Sequence, residues 1–221
     1  MRDQLGNRLP TFTEDEFVLL REAELDFYGM NYYTSQFARH STSIPADTDF
    51  FGNVDQCAED KDGRLVGKPS GIYWLHSVPN GFRSHLVRIY KKYQKPIYVT
   101  ENGCPCPGED KMSREESVND TYRQQYFSDH LDATVGAIKD GAKIGGYFAW
   151  SLLDNLGGAT ELFSKMYRLL TLCLEWSDGY GPRFGCTYTD FETLERTPKD
   201  SALKLRAMIE NRMIASDNNK H

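Results

Sequence analysis

Short apolar runs and helical stripes alternate along this chain. In Pro96-Ile97-Tyr98-Val99-Thr100-Glu101-Asn102-Gly103, consecutive apolar or aromatic positions give the pattern of a strand buried on both faces of a parallel sheet, and the run delivers one carboxylate, Glu101, to its C-terminal end. Two further segments have the same layout, Asp26 to Thr34 before it and Gly145 to Asn155 after it. Helical stripes separate them, one through Leu86, Ile89, Tyr90 and Tyr93, the other through Tyr126, Leu131, Val135 and Ile138. Strand and helix in alternation predict an α/β protein with a parallel sheet. At the chain's start, Thr13 with Glu16 three residues on predicts a capped helix. At its end, Pro198 to Met213 predicts a closing helix with Leu203, Leu205, Met208 and Ile209 as its apolar set, and Asn218 to His221 is expected to fray. Residues 35–70 read as a long polar loop whose Asp47, Asp49, Asp55, Glu59, Asp60 and Asp62 form a solvated rim rather than a calcium loop. Residues 104–117 read as a second loop.

Reactive groups of strand-helix barrels sit where the strands end, which makes Glu101 a candidate nucleophile. The aromatic and polar residues at the ends of the other two strands, Asn31, Tyr32 and Tyr33 in one and Trp150 to Asn155 in the other, belong to the same rim. Outside any motif, Trp74, Trp150 and Trp176 read as ordinary core or interface aromatics.

The ordered set of Asn31-x-Tyr33, Trp74 with Gly81-Phe82-Arg83, Thr100-Glu101-Asn102-Gly103, Trp150-Ser151-Leu152 and Glu175-Trp176 before Gly179-Tyr180 resembles glycoside hydrolase family one, in detail its fungal β-glucosidases. The resemblance runs from about Arg8 to about Arg212. It implies part of a (β/α)8 barrel, with strands similar to the sixth, seventh and eighth. It further implies retaining hydrolysis of terminal β-D-glucosyl residues, a β-glucoside or cello-oligosaccharide substrate, and no metal or cofactor. By family position Glu101 is the nucleophile and Tyr33 orients it. Asn31 contacts the nucleophile region or adjacent sugar hydroxyls, Trp150 is the platform under the ring, Glu175 and Trp176 hold outer hydroxyls, and Trp74 lines the aglycone side. A carboxylate at Glu175 repels phosphate, so an unphosphorylated glucoside is expected.

Three departures qualify this expectation. Nothing here resembles the family's Asn-Glu-Pro segment, which supplies the general acid/base; Glu109, Glu115 and Glu116 lie in a polar loop and helix start. The chain alone is therefore expected to be inactive, the alternatives being a non-catalytic carbohydrate-binding fragment or a non-functional truncated product. Met1 to Pro10 resembles an internal segment before the sixth strand, so Met1 reads as an internal methionine of a longer parent. Trp150 and Glu175 are 25 positions apart, against seven in the family, which leaves eighteen extra residues. These, about Leu156 to Cys173, read as an insertion or a retained intron; if translated, Phe163, Met166, Tyr167 and Leu170 share one face of a short helix.

With 221 residues the chain falls short of the ~250 of a complete barrel of this type. Its formal charge of −6 argues against nucleic acid or an anionic membrane as partner. Five cysteines without zinc spacing, Cys104-Pro105-Cys106 among them, are expected as reduced thiols in the cytoplasm. Phe27, Ile97, Val99 and Phe148 are expected to point into the barrel and to lose their facing layer when the chain stands alone.

Overall fold

The computed structural model describes residues 5–42, 54–154, 157–158, 177–179 and 181–218. At its centre three parallel strands, β1 (Tyr28–Asn31), β6 (Ile97–Asn102) and β7 (Ile144–Ala149), lie in the order β1-β6-β7. Helices α2 (Pro79–Tyr93) and α4 (Thr121–Lys139) connect them in turn and pack side by side. Tyr28 pairs with Ile97 and Asn31 with Glu101, with a shift in register after Met30. Strand β7 pairs from Ile144 beside Ile97 to Ala149 beside Asn102. This is the expected strand-helix alternation of a partial (β/α)8 barrel.

One face of the sheet is sealed. Ile97 and Val99, both fully buried, meet Met30, Phe82 and Leu86, and Ala133 and Ala137 of α4, whose small side chains let the helix approach. Ile97 and Val99 therefore point to the helices, not into the barrel. The other face is open: Tyr98 is half-buried, Thr100 is exposed, and Phe27 and Phe148 are 52% and 58% exposed. Strand β6 is thus covered on one side, and the expectation of two buried faces is corrected. Phe27 stands edge-on to Tyr98 with ring centroids 5.1 Å apart. The Tyr98 ring lies so close over Gly145 that a Cβ there would collide with it.

The helices also differ from their predicted stripes. In α4, Ile138 is exposed, and Arg123, Phe127 and His130 join Tyr126 and Leu131 on the buried side. The closing helix α5 (Asp200–Asn218) starts two residues later than predicted, because Pro198 belongs to β11 (Arg196–Pro198), paired with β10 (Thr187–Thr189). Leu203 and Ile209 are exposed, so apolar type alone misidentified its packed face, which begins with buried Ser201. Helix α1 (Glu14–Glu22) has the expected capping box, Thr13 N–H donating to Glu16 Oε2 at 2.8 Å, and buries none of its residues.

Residues 35–70 are more ordered than a polar loop. Strand β2 (Phe37–His40) pairs antiparallel with β3 (Val54–Cys57), and β4 (Lys68–Pro69) with β5 (His76–Ser77). Backbone pairing between short, mostly exposed segments leaves no periodic signal, which is why the sequence pattern missed it. Asp60 Oδ1 accepts from the amides of Asp62 and Arg64, a turn rather than an ion cradle. Asp47 and Asp49 lie outside the described residues. Residues 104–117 likewise hold a 3-10 turn at Glu109–Lys111 and the start of α3 (Arg114–Val118). Beyond β7, β8 (Gly157–Gly158) pairs antiparallel with β9 (Ser177–Gly179). Most of the eighteen extra residues, the expected helix among them, and residues 219–221 lie outside the described residues. No described helix is long and apolar enough to cross a membrane.

Candidate active site

The C-terminal ends of the three strands are locked together by one buried amide. Asn102 is fully buried, and its Nδ2 donates to Tyr32 O at 2.7 Å and to Tyr126 Oη at 2.9 Å. Its Oδ1 accepts from Tyr147 Oη, and Tyr126 Oη in turn donates to Tyr33 O at 3.0 Å. Burial pushes the Tyr126 and Tyr147 phenols well above the ordinary range, so both stay protonated and available as donors. Two main-chain bonds complete the lock, Tyr32 N to Glu101 O at 2.9 Å and Trp150 N to Asn102 O at 2.8 Å. Gly103 is required here, because a Cβ would collide with the Trp150 carbonyl.

Glu101 leaves this lock half-buried. Tyr33 Oη donates to Glu101 Oε2 at 2.6 Å, a short bond that fixes the direction of the carboxylate. The Tyr33 ring is held edge-on by Trp74, centroids 6.1 Å apart, and by Phe184 at 5.9 Å. Asn31 lies beside Glu101 in the register, but its Oδ1 accepts from Thr100 Oγ1 at 2.6 Å. Trp150 is half-buried against the apolar cluster of Ile72, Leu75, Tyr126, Phe127 and Phe184. The structure therefore brings together Glu101, Tyr33 and Trp74, sets Asn31 next to them through Thr100, and ties Trp150 on through the main chain. Glu175 and Trp176 lie outside the described residues.

Below this rim is a buried charge cluster that sequence reading missed. Glu109, read as a polar-loop residue, is only 2% exposed. Its carboxylate accepts from Arg123 and Lys199, both fully buried. Lys199 Nζ also donates to Asp154 Oδ1 at 2.9 Å, and Asp154 Oδ2 accepts from Arg183 at 2.8 Å. Arg123 further holds Asp120, which caps Ser201 N at 2.8 Å. Three carboxylates face three cations, joining the loop after β6, the loop after β7 and the start of α5. Burial pushes the Glu109 carboxyl up, but Arg123 and Lys199 outweigh it and hold it below the usual range. Partners up to 90 residues apart give no local signal. Among the described residues, no group of three or more His, Cys, Asp or Glu could hold a metal ion, and Cys57, Cys104, Cys106 and Cys186 are free thiols.

Three parallel strands with helices on one face, carboxylate and aromatics gathered at their C-terminal ends, define a portion of a (β/α)8 barrel of the kind enzymes use. The chain belongs to glycosyl hydrolase family 1, whose profile matches residues 1–172. Beta-glucosidase 1B of Phanerodontia chrysosporium is 39% identical over 202 residues, which cover 91% of this chain and 33% of that protein. Among solved structures, beta-glucosidase 2 of Trichoderma reesei in complex with Tris is 42% identical with a TM-score of 0.80, over 96% of this chain and 42% of the other. A GH1 β-glucosidase of Humicola insolens in complex with glucose is 39% identical with the same TM-score, over 96% of this chain and 41% of the other. The chain thus spans about a third to two-fifths of the length of these relatives.

Proposed function

We propose that this chain carries the nucleophile side of a retaining β-glucosidase site. Glu101 attacks the anomeric carbon of a terminal β-D-glucoside and displaces the aglycone oxygen to form a glycosyl-enzyme, and Tyr33 aims its carboxylate. The observation that carries this reading is the 2.6 Å bond from Tyr33 Oη to Glu101 Oε2 at the end of the middle strand. The names of the family relatives, and glucose in one of the solved structures, support the substrate class. Asn31, Trp150, Glu175 and Trp176 would hold the sugar and Trp74 its aglycone side, with an unphosphorylated glucoside or cello-oligosaccharide as substrate.

Retaining chemistry needs a second carboxyl group roughly 5 to 5.5 Å from the first, to protonate the leaving oxygen and then activate water. No Asn-Glu-Pro segment occurs in these 221 residues. The chain alone is therefore inactive on an alkyl β-glucoside, whose poor leaving group demands acid assistance. The test is reconstitution with the N-terminal part of a family relative. Turnover should appear, and should be lost on Glu101→Gln. Turnover that survives Glu101→Ala would overturn the nucleophile, and alkyl glucoside turnover by the chain alone would overturn the half-site. The segment from Leu156 to Cys173 is an insertion or a retained intron in this reading; its deletion should raise the reconstituted rate, and a mature transcript that keeps those codons counts against the intron.

A further inference from the structure

We propose that the outer side of α2 is a binding site for a short polyanion, a di- or triphosphate group. This helix differs in charge from its neighbours. Its fifteen residues include Arg83, Arg88, Lys91 and Lys92 but no Asp or Glu, in a chain whose formal charge is −6. Every other described α-helix carries at least one acidic residue. Phe82 and Leu86 bury the inner side of α2, and the four cations stand exposed. Together with Ser84 and Asp140 they line a groove of about 600 Å³.

The single carboxylate does not neutralise this groove. Arg83 donates to both oxygens of Asp140, at 2.7 and 2.8 Å, and so occupies it. Among the described residues Arg88 has no ion-pair partner, whereas the equally exposed Arg21, Arg39, Arg114 and Arg206 each have one. Partial burial and then the Arg88 charge push the neighbouring His85 imidazole below its ordinary range. Lys92 Nζ lies 5.1 Å from the Tyr93 ring centroid, a contact that leaves its charge intact. Lysines in a last turn offset roughly half a charge of helix dipole, but Arg83 and Arg88 precede that turn. The ligand follows from the spacing. Arg88 and Lys92 are one turn apart, about 6 Å along the axis, with Lys91 beside them. A guanidinium takes two phosphate oxygens at once, and ammonium groups serve as compact point charges. One phosphate engages one of these cations closely, whereas linked phosphates bridge the turn and meet all three. The negative charge of the whole chain opposes an extended polyanion that overhangs the groove and permits a short one seated in it. The site shares no residue with the Glu101 rim, and neither reading depends on the other.

The test is calorimetric titration of the full chain with tripolyphosphate in magnesium-free buffer at low salt, with amide chemical shifts read in parallel. Saturable binding with a Kd below about 1 mM is expected. The shifts should concentrate in α2 and around Asp140, and affinity should fall as salt is raised. The double variant Arg88→Gln with Lys92→Gln changes two exposed side chains and should weaken binding at least about tenfold while its circular dichroism stays that of the wild type. Lys61→Gln with Arg64→Gln removes two exposed charges elsewhere and should leave the affinity unchanged. Adenosine triphosphate separates two sources of the same chemistry. Tighter binding than tripolyphosphate assigns the site to a nucleotide, and equal or weaker binding to a free phosphate chain. The proposal is overturned by the absence of saturable binding, by orthophosphate binding as tightly as tripolyphosphate, or by an affinity that the α2 variant leaves unchanged.

Discussion

Replacing Lys199 with Met keeps most of the side chain's length and removes one charge from a sealed cluster. In the native structure Lys199 Nζ bridges Glu109 Oε1 and Asp154 Oδ1 with no exposure to water. Without it, Arg123 and Arg183 face Glu109, Asp120 and Asp154, and one negative charge is left buried and uncompensated. Breaking a buried pair from one side costs about 3–5 kcal/mol, a large fraction of the ~5–15 kcal/mol that holds a typical domain. At about 2–4 °C per kcal/mol for a chain of this size, the midpoint of thermal unfolding should fall by roughly 6–20 °C. The assay is a thermal melt followed by circular dichroism, with urea unfolding as a check. The double variant Lys199→Met with Glu109→Gln restores two cations against two carboxylates and should recover a substantial part of the loss. A single variant within about 1 kcal/mol of wild type, or a double variant no more stable than the single, would refute this account of the cluster. Because Glu109 titrates below its ordinary range, its contribution is present above the unfolded carboxylate value and is lost as pH falls through the folded one, so Glu109→Gln should blunt acid unfolding.

Burial lowers the His130 imidazole to about 4 while its ring stacks on Tyr126 at 3.9 Å, so the unfolded chain takes up a proton between pH 6.5 and 4 that the native one refuses. Stability should therefore fall by about 3 kcal/mol across that window, and His130→Phe should flatten the profile measured by urea unfolding. Tyr126→Phe strips Asn102 of an acceptor and Tyr33 O of a donor, and should cost about 1–3 kcal/mol in the same assay. Gly103→Ala drives a methyl into the Trp150 carbonyl and should reduce the yield of folded chain, whereas Gly108→Ala meets open space at a positive φ of 75° and should cost less.

What could be read from the sequence was local or periodic. The strand carrying Glu101, the stripe through Leu86 and the cap at Thr13 each declare themselves within a few residues, and the structure has the strand, the cap and the stripe as far as Tyr90, with Tyr93 exposed. The contact between Tyr33 and Glu101 spans 68 residues and was accessible only through the family motif. Asn102 was quoted within that motif, yet nothing in the sequence showed that it ties Tyr32, Tyr126 and Tyr147 together. Ile97 and Val99 were assigned to the wrong side because an apolar run does not say which face meets helices and which meets the barrel interior. Glu109 was misread because a charged residue after Gly108 has the composition of a surface turn, and its partners Arg123 and Lys199 lie on elements that only the folded chain brings near.

The central claim is that Glu101 is the group that bonds to the sugar. The most direct test incubates the reconstituted barrel with a 2-deoxy-2-fluoro-β-glucoside bearing a dinitrophenolate leaving group, which slows breakdown of the glycosyl-enzyme, followed by peptide mass spectrometry. The account predicts one fluoroglucosyl group per complex, on the peptide containing Thr100-Glu101-Asn102, and none with Glu101→Gln. A label on any other residue, or labelling undiminished in Glu101→Gln, contradicts it.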